Sequence, residues 1–268
     1  MGLGSQMIKW SVELCGLFVK SGFYVIRFDN RDVGLSTKFE KADDVNIIKL
    51  FKAVQKGKPV SAPYTLDDMA DDAIGVLDDL NIQKAHICGV SMGGKITQNI
   101  GYRHPSRVLS LCSIMSTTGN QNVAQPKPEI MKIFLTPPPT EREANIMHSI
   151  NRMRVLYGSG FPFDEKRARK IVTESYDRSF YPSGTKRQLA AILATGNRRE
   201  QIATIKAPTL VIHGTDDPLL SIEMGKETTK AIKGSKLLII EGMGHSLPPE
   251  TWPRIIDAIT SNAAKISM

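Results

Sequence analysis

The sequence predicts an α/β fold: a mostly parallel sheet flanked by helices, with a helical cap inserted between two strands. Three observations predict it. Short β-branched, apolar runs alternate with stretches of helical periodicity, the order that a parallel sheet with crossover helices requires. The runs are continuously apolar instead of alternating, as in strands covered on both faces. One long stretch in the middle carries several helical patterns and no strand.

Taken in order, the first strand is expected at Tyr24-Val25-Ile26-Arg27-Phe28-Asp29. A helix follows over Leu66 to Leu80, where Met69, Ala73, Val76, Leu77 and Leu80 recur at helical spacing. Residues 85–90 (Ala-His-Ile-Cys-Gly-Val) form the next strand, a helix starts just after Ser91, and residues 108–114 return as a strand. Residues 119–205 then break the alternation. They contain Thr136-Pro137-Pro138-Pro139-Thr140, a capping box at Thr140–Glu143, and a turn at Gly158-Ser159-Gly160-Phe161-Pro162. The alternation resumes with a strand at 209–213, a helix capped by Ser221 and running to Ile232, a strand at 236–240, and a last helix from about Pro249 to about Ala264. Residues 1–118 with 206–268 are thus expected to form the core, and 119–205 the cap.

Composition narrows the function classes. The 268 residues are 41% hydrophobic and 23% charged, enough to bury a sizeable core in one large domain. No apolar run reaches the roughly 18 residues of a membrane span. The N-terminus lacks the basic and apolar regions of a signal peptide, and Gln6 breaks the myristoylation pattern, so a cytoplasmic location is expected. Cys15, Cys88 and Cys112 are an odd, scattered set in apolar segments, expected as buried reduced thiols. The net charge of +8 is partly concentrated in Arg152, Arg154, Lys166, Arg167, Arg169 and Lys170. No nucleic-acid motif accompanies it, so these charges are read as solvated helix faces without a nucleic-acid or membrane partner. Neither a metal nor another cofactor is implied, because His-Glu-x-x-His and clustered Cys/His patterns are absent and Gly2-Leu3-Gly4 lacks a preceding strand and a third glycine.

The sharpest chemical signal is Gly89-Val90-Ser91-Met92-Gly93, a G-x-S-x-G pattern between a strand and a helix. Small residues at 89 and 93 let strand and helix approach while Ser91 projects above the sheet at a helix N-terminus, where developing negative charge is stabilised. A serine hydroxyl needs a base. Of five histidines, His86 sits within a strand as a packed core residue, His104 ends a helix, His148 lies on a cap helix and His213 ends a strand beside Gly214, where a structural hydrogen bond is expected. His245 lies in the flexible Gly242-Met243-Gly244-His245-Ser246 loop just after the last strand, where an imidazole can reach over the sheet's C-terminal edge. The orienting carboxylate is sought in Gly214-Thr215-Asp216-Asp217-Pro218, where composition alone leaves Asp216 and Asp217 both open. The chain order Ser, Asp, His is that of α/β-hydrolases.

The chain resembles the α/β-hydrolase family over nearly its whole length. Asp29-Asn30-Arg31-Asp32-Val33-Gly34-Leu35-Ser36 is similar to that family's D-x-R-x-x-G-x-S loop, with Asp29 and Arg31 expected to fix its shape. More narrowly, Met1–Gly4, the segment from Arg154 to Asp164, and Gly242–Pro248 resemble the aclacinomycin methylesterase group. The resemblance implies a carboxylesterase acting on a small-molecule ester. It implies Asp217, three residues after the glycine, as the acid, and a catalytic triad of Ser91, Asp217 and His245. It further implies an oxyanion hole made by the backbone N–H groups of Met92 and Leu3. Lactonase, thioesterase, cofactor-free perhydrolase and carbon–carbon hydrolase chemistry remain alternatives on the same triad. Phe134, Leu135, Met147, Met153, Leu156, Phe161 and Phe163 are open between pocket lining and cap core.

One departure stands out. Members of the family carry strands before the Gly-Leu-Gly loop, one of them central between the strands expected at 24–29 and 85–90. Those strands are missing from this sequence, so the expectation is a start upstream of Met1 or, as the alternative, a curtailed chain with impaired stability and activity. An incomplete sheet would leave unpaired backbone groups and motivates a non-catalytic, binding role as a further alternative.

Overall fold

The computed structural model of the protein describes residues 1–42, 45–123 and 125–266. Four strands, β1 (Ala85–Val90), β2 (Val108–Ile114), β3 (Thr209–Gly214) and β4 (Lys236–Ile240), pair in that order into one sheet. Every pairing is parallel. Parallel neighbours need crossovers, and helices supply them. α4 (Met92–Arg103) joins β1 to β2, and α10 (Ile222–Ala231) joins β3 to β4. Between β2 and β3 run α5 (Pro128–Leu135), α6 (Arg142–Leu156), α7 (Glu165–Arg178), α8 (Pro182–Thr195) and α9 (Arg199–Ile202). Before the sheet come α1 (Val12–Lys20), α2 (Ile47–Gln55) and α3 (Leu66–Asp79), and α11 (Trp252–Ala263) closes the chain.

The central strands are buried on both faces. Leu111, Ile114, Val211 and Ile212 are all at 1% exposure or less, which accounts for their unbroken apolar sequence. On one face, Leu66, Met69, Ile74 and Leu77 of α3 pack with Met92, Ile96 and Ile100 of α4. On the other, Ile255 and Ile259 of α11 meet Cys112, Leu210 and Ile212, while Leu14 of α1 packs on Trp252 and Ile256. Each such aliphatic side chain contributes about 1.5–3 kcal/mol on burial.

α3 begins with a reciprocal capping box. Thr65 accepts from the Asp68 amide, and the Asp68 carboxylate accepts from Thr65 N. The box expected at Thr140–Glu143 is corrected. Glu141 is the cap of α6, its carboxylate accepting from the amides of Glu143 and Ala144 at 3.0 and 2.7 Å. Its side chain reaches the same orphan donors one residue later, and Thr140 instead offers its carbonyl to the Tyr176 hydroxyl.

The strand expected at 24–29 is also corrected: the segment joins no ladder. It lies beside β1, with Phe23 edge-on to His86 at 5.6 Å between ring centroids and Ile26 packed on the α3–α4 core. A β-rich run becomes a strand only with a neighbour within ladder distance, and among the described residues β1 pairs on the β2 side alone. The Cys15 and Cys88 thiols, expected buried, are only partly covered, whereas Cys112 is buried; all three are free.

The turn after residue 29 is held by carboxylates. Asp29 accepts from Met7 N and Leu35 N at 2.7 and 2.9 Å and pairs with Arg178 at 2.7 Å. A Cβ on Gly34 would overlap the Asp29 carboxylate, so this position takes glycine. Asp32, fully buried, pairs with Arg187 of α8 at 2.8 Å and accepts from Tyr64 and the Phe39 amide. Burial alone would push its carboxyl up, but these bonds hold it below the usual carboxylate range. Arg31 donates to Asp72 of α3 at 2.6 and 2.7 Å.

Candidate active site

Ser91 stands between β1 and α4 with φ 56° and ψ −116°, a conformation that L-residues rarely adopt. The surroundings over-determine it. Ser91 N donates to Ile114 O at 2.9 Å, and Ser116 Oγ donates to Ser91 O at 2.8 Å. A Cβ on Gly89 would overlap the Gly93 carbonyl, and one on Gly93 would lie 2.8 Å from Met1 O. Both glycines are therefore needed for the close approach of strand, helix and N-terminal loop.

His245 reaches this point from the loop after β4. Its Nε2 lies 2.9 Å from Ser91 Oγ and its Nδ1 lies 2.7 Å from Asp217 Oδ2. An ionised carboxylate only accepts, so Nδ1 carries the proton and Nε2 is free to accept from the serine hydroxyl. The Asp217 side chain is fully buried, and its other oxygen accepts from the amides of Leu219 and Leu220 at 2.9 and 2.8 Å. These amides fix the carboxylate so that its remaining oxygen faces the imidazole.

Asp216, the other aspartate of the turn, points away. It accepts from the Ser159 hydroxyl and from Ser159 N at 3.2 Å. It thereby ties the β3 turn to the segment between α6 and α7.

That segment also grips the histidine loop. His245 N donates to Leu156 O at 2.6 Å, Gly244 N donates to Tyr157 O at 3.0 Å, and Gly160 N donates to Gly242 O at 3.0 Å. A Cβ on Gly244 would overlap Leu156 O.

Of the two expected oxyanion donors, Met92 N is a first-turn amide of α4, which has no acceptor within its helix. Leu3 belongs to a loop seated on the elbow: a Cβ on Gly2 would lie 3.2 Å from Ser91 Cβ, and Gly4 N donates to Gln188 Oε1 at 2.9 Å.

His213, outside the expected constellation, lies directly beneath. Its Nε2 donates to Leu220 O at 2.6 Å and sits 3.7 Å from Asp217 Oδ2. Burial holds it below the ordinary imidazole range despite that carboxylate, so it is a neutral prop under the acid's turn. The structural hydrogen bond expected of His213 at its strand end is the one to Leu220 O. Of the apolar residues left open, Phe161 packs with Val90 and Met243, while Met153 and Phe163 pack with Ile146, Ile150 and Val172.

A profile of the alpha/beta hydrolase fold matches residues 10–250. The chain belongs to the α/β-hydrolase family. Within that family, this hydrolase-fold chain is similar to the rhodomycin D methylesterase of Streptomyces peucetius, 26% identical over 262 residues covering 90% of this chain and 81% of that protein. It is similar also to 3-oxoadipate enol-lactonase 1 of Acinetobacter baylyi, 26% identical over 246 residues covering 89% and 77%. Among solved structures, an esterase from Exiguobacterium antarcticum superposes with a TM-score of 0.73 at 19% identity, covering 98% of this chain and 89% of that one. Among the described residues, no helix is long and apolar enough to cross a membrane.

Proposed function

We propose that this α/β-hydrolase is a carboxylesterase that cleaves a small-molecule ester through an acyl-enzyme on Ser91. One observation carries the reading: the Ser91 hydroxyl, the His245 imidazole and the Asp217 carboxylate form a continuous hydrogen-bonded chain at 2.9 and 2.7 Å. In the first step His245 Nε2 takes the hydroxyl proton as Oγ attacks the ester carbonyl, and Asp217 stabilises the imidazolium. The N–H groups of Met92 and Leu3 bind the oxyanion. His245 then protonates the departing alcohol. In the second step it activates water, which releases the acid and frees Ser91.

Residues 119–205 act as a cap over a core of 1–118 and 206–268, and their grip on the histidine loop supports that role. Three free cysteines suit a reducing, cytoplasmic setting. A second reading, lactone hydrolysis, is favoured by the enol-lactonase relative, because a lactone is an internal ester and the same two steps open it. Kinetics of Ser91→Ala with p-nitrophenyl esters test the proposal. The folded variant loses at least about a thousandfold in kcat; near wild-type hydrolysis by it refutes the assignment. Assaying lactones beside the esters separates the two readings.

A further inference from the structure

Two donors hold the Ser91 carbonyl. Lys95 N, one turn along α4, donates to Ser91 O at 3.2 Å, and Ser116 Oγ donates to the same oxygen at 2.8 Å. A single guanidinium anchors the supports on both sides. Arg198 Nη1 donates to Lys95 O at 3.0 Å and to Asn99 Oδ1 at 2.8 Å. Its Nη2 donates at 2.7 Å to the carbonyl of Thr117, the residue after Ser116. Asn99 is itself held by Asp67 of α3, whose carboxylate accepts from Asn99 Nδ2 at 2.7 Å, which leaves Oδ1 to the arginine.

Arg198 stands where the chain returns from residues 119–205. Its N donates to Thr118 O at 2.9 Å, and a Cβ on Gly119 would overlap Gly196 O. The outgoing and returning limbs therefore touch. Glu227 of α10 joins them again, accepting from Thr118 Oγ1 at 2.7 Å and pairing with Arg199 at 3.3 Å. Arg198 is 2% exposed, and its Nε is buried with no partner. Among the described residues its acceptors are all neutral, two carbonyls and an amide oxygen. Burial draws the guanidinium down to about 10, so it stays charged near neutral pH. Burying a cation without a carboxylate to face it costs stability, and an apolar residue of the same volume would avoid that cost. What an apolar residue lacks is a planar fork with donors on two arms. Here the arms span α4 and the segment after β2, the two elements that hold Ser91.

Resting on the esterase reading, we infer that Arg198 is a positioning residue for the nucleophile: by fixing the Lys95 and Thr117 carbonyls it holds Ser91 in its strained conformation and ties the return of residues 119–205 to the elbow. Ser91 keeps its φ of 56° only while its surroundings over-determine it. Without the fork, the first turn of α4 and the Ser116–Thr117 segment each relax, and Ser91 Oγ drifts from His245 Nε2. A displacement of about 1 Å at a reacting atom costs on the order of a hundredfold in rate.

Arg198→Met keeps much of the bulk and removes the fork. Two rates, measured well below the melting temperature, test the role: kcat for a p-nitrophenyl ester, and labelling of Ser91 by a small fluorophosphonate, which needs the nucleophile but no pocket for a large substrate. Both fall at least about tenfold in folded Arg198→Met. An arginine that served stability alone would lower the melting temperature and leave both rates of the folded protein unchanged. A folded Arg198→Met that keeps either rate within about tenfold of the wild type overturns the inference and leaves the esterase reading standing. Should Arg198→Met fail to fold, Arg198→Lys decides, because it keeps the charge but offers one nitrogen in place of two. A fall of at least about threefold in both of its rates is expected, and a smaller fall in either overturns the inference. A wild type that neither hydrolyses the ester nor takes the label brings down both readings.

Discussion

Replacing Asp217 by Asn separates the chemistry of the site from its stability. Two amides, the buried Leu219 N and the partly buried Leu220 N, donate to Oδ1, and His245 Nδ1–H donates to Oδ2. An asparagine oxygen can keep both amides satisfied, so the turn persists. Its NH2 group then faces His245, and a donor in that place favours the tautomer with Nδ1 bare and Nε2 protonated. That imidazole cannot take the Ser91 proton. The expected loss is about four orders of magnitude in kcat, or about 5.4 kcal/mol at about 1.36 kcal/mol per decade. Asp217→Ala behaves differently. It strands both amides in a buried turn at about 1–3 kcal/mol each, so it should cost roughly 2–6 kcal/mol of stability as well as activity. Steady-state hydrolysis of a p-nitrophenyl ester and thermal denaturation, measured on both variants, give the two quantities. An Asp217→Asn protein within tenfold of wild-type kcat would refute the assignment of Asp217 as the orienting acid.

Other positions yield further expectations. Gly89→Ala places a methyl group on the Gly93 carbonyl; the elbow must shift, and the melting temperature should fall by roughly 2–12 °C with a matching loss of ester hydrolysis, both absent if the elbow has slack. Arg187→Met leaves Asp32 charged and buried without its partner, which should cost about 3–5 kcal/mol, measurable by urea denaturation. Because the folded carboxyl of Asp32 lies below its unfolded value, its stabilisation is full above the ordinary carboxylate range and is lost as pH falls through that lower value. The stability gap between the wild type and Asp32→Asn should therefore shrink in acid; a gap constant with pH would contradict this. Ser159→Ala removes the hydroxyl bond from the α6–α7 segment to Asp216 and should loosen that segment, read as faster hydrogen exchange at Gly244 and His245.

Much of the frame was legible because local chemistry wrote it. Unbroken apolar runs marked the central strands, since both faces are covered, and helical spacing at Met69 and Leu77 marked α3. The elbow was legible because only glycine at 89 and 93 permits its backbone approach. Less was legible where a partner distant in sequence decides the outcome. Residues 24–29 have strand composition, but a ladder depends on a neighbour that local composition does not reveal. Thr140 and Glu141 both suit a helix cap, and the reach of one side chain chose between them. Composition could not separate Asp216 from Asp217 either. Their fates are set by the amides of Leu219 and Leu220 on one side and by Ser159, 57 positions away, on the other. The Asp32–Arg187 pair follows no spacing rule, because it depends on which surfaces the fold presses together.

The activation of Ser91 is tested most directly by a fluorophosphonate probe, which captures a serine only when a base draws off its proton. The account predicts stoichiometric labelling of the native protein, mapped by peptide mass to Ser91 and abolished in folded His245→Ala. Absence of labelling in the native protein, or labelling at Ser91 that survives loss of the imidazole, would contradict it.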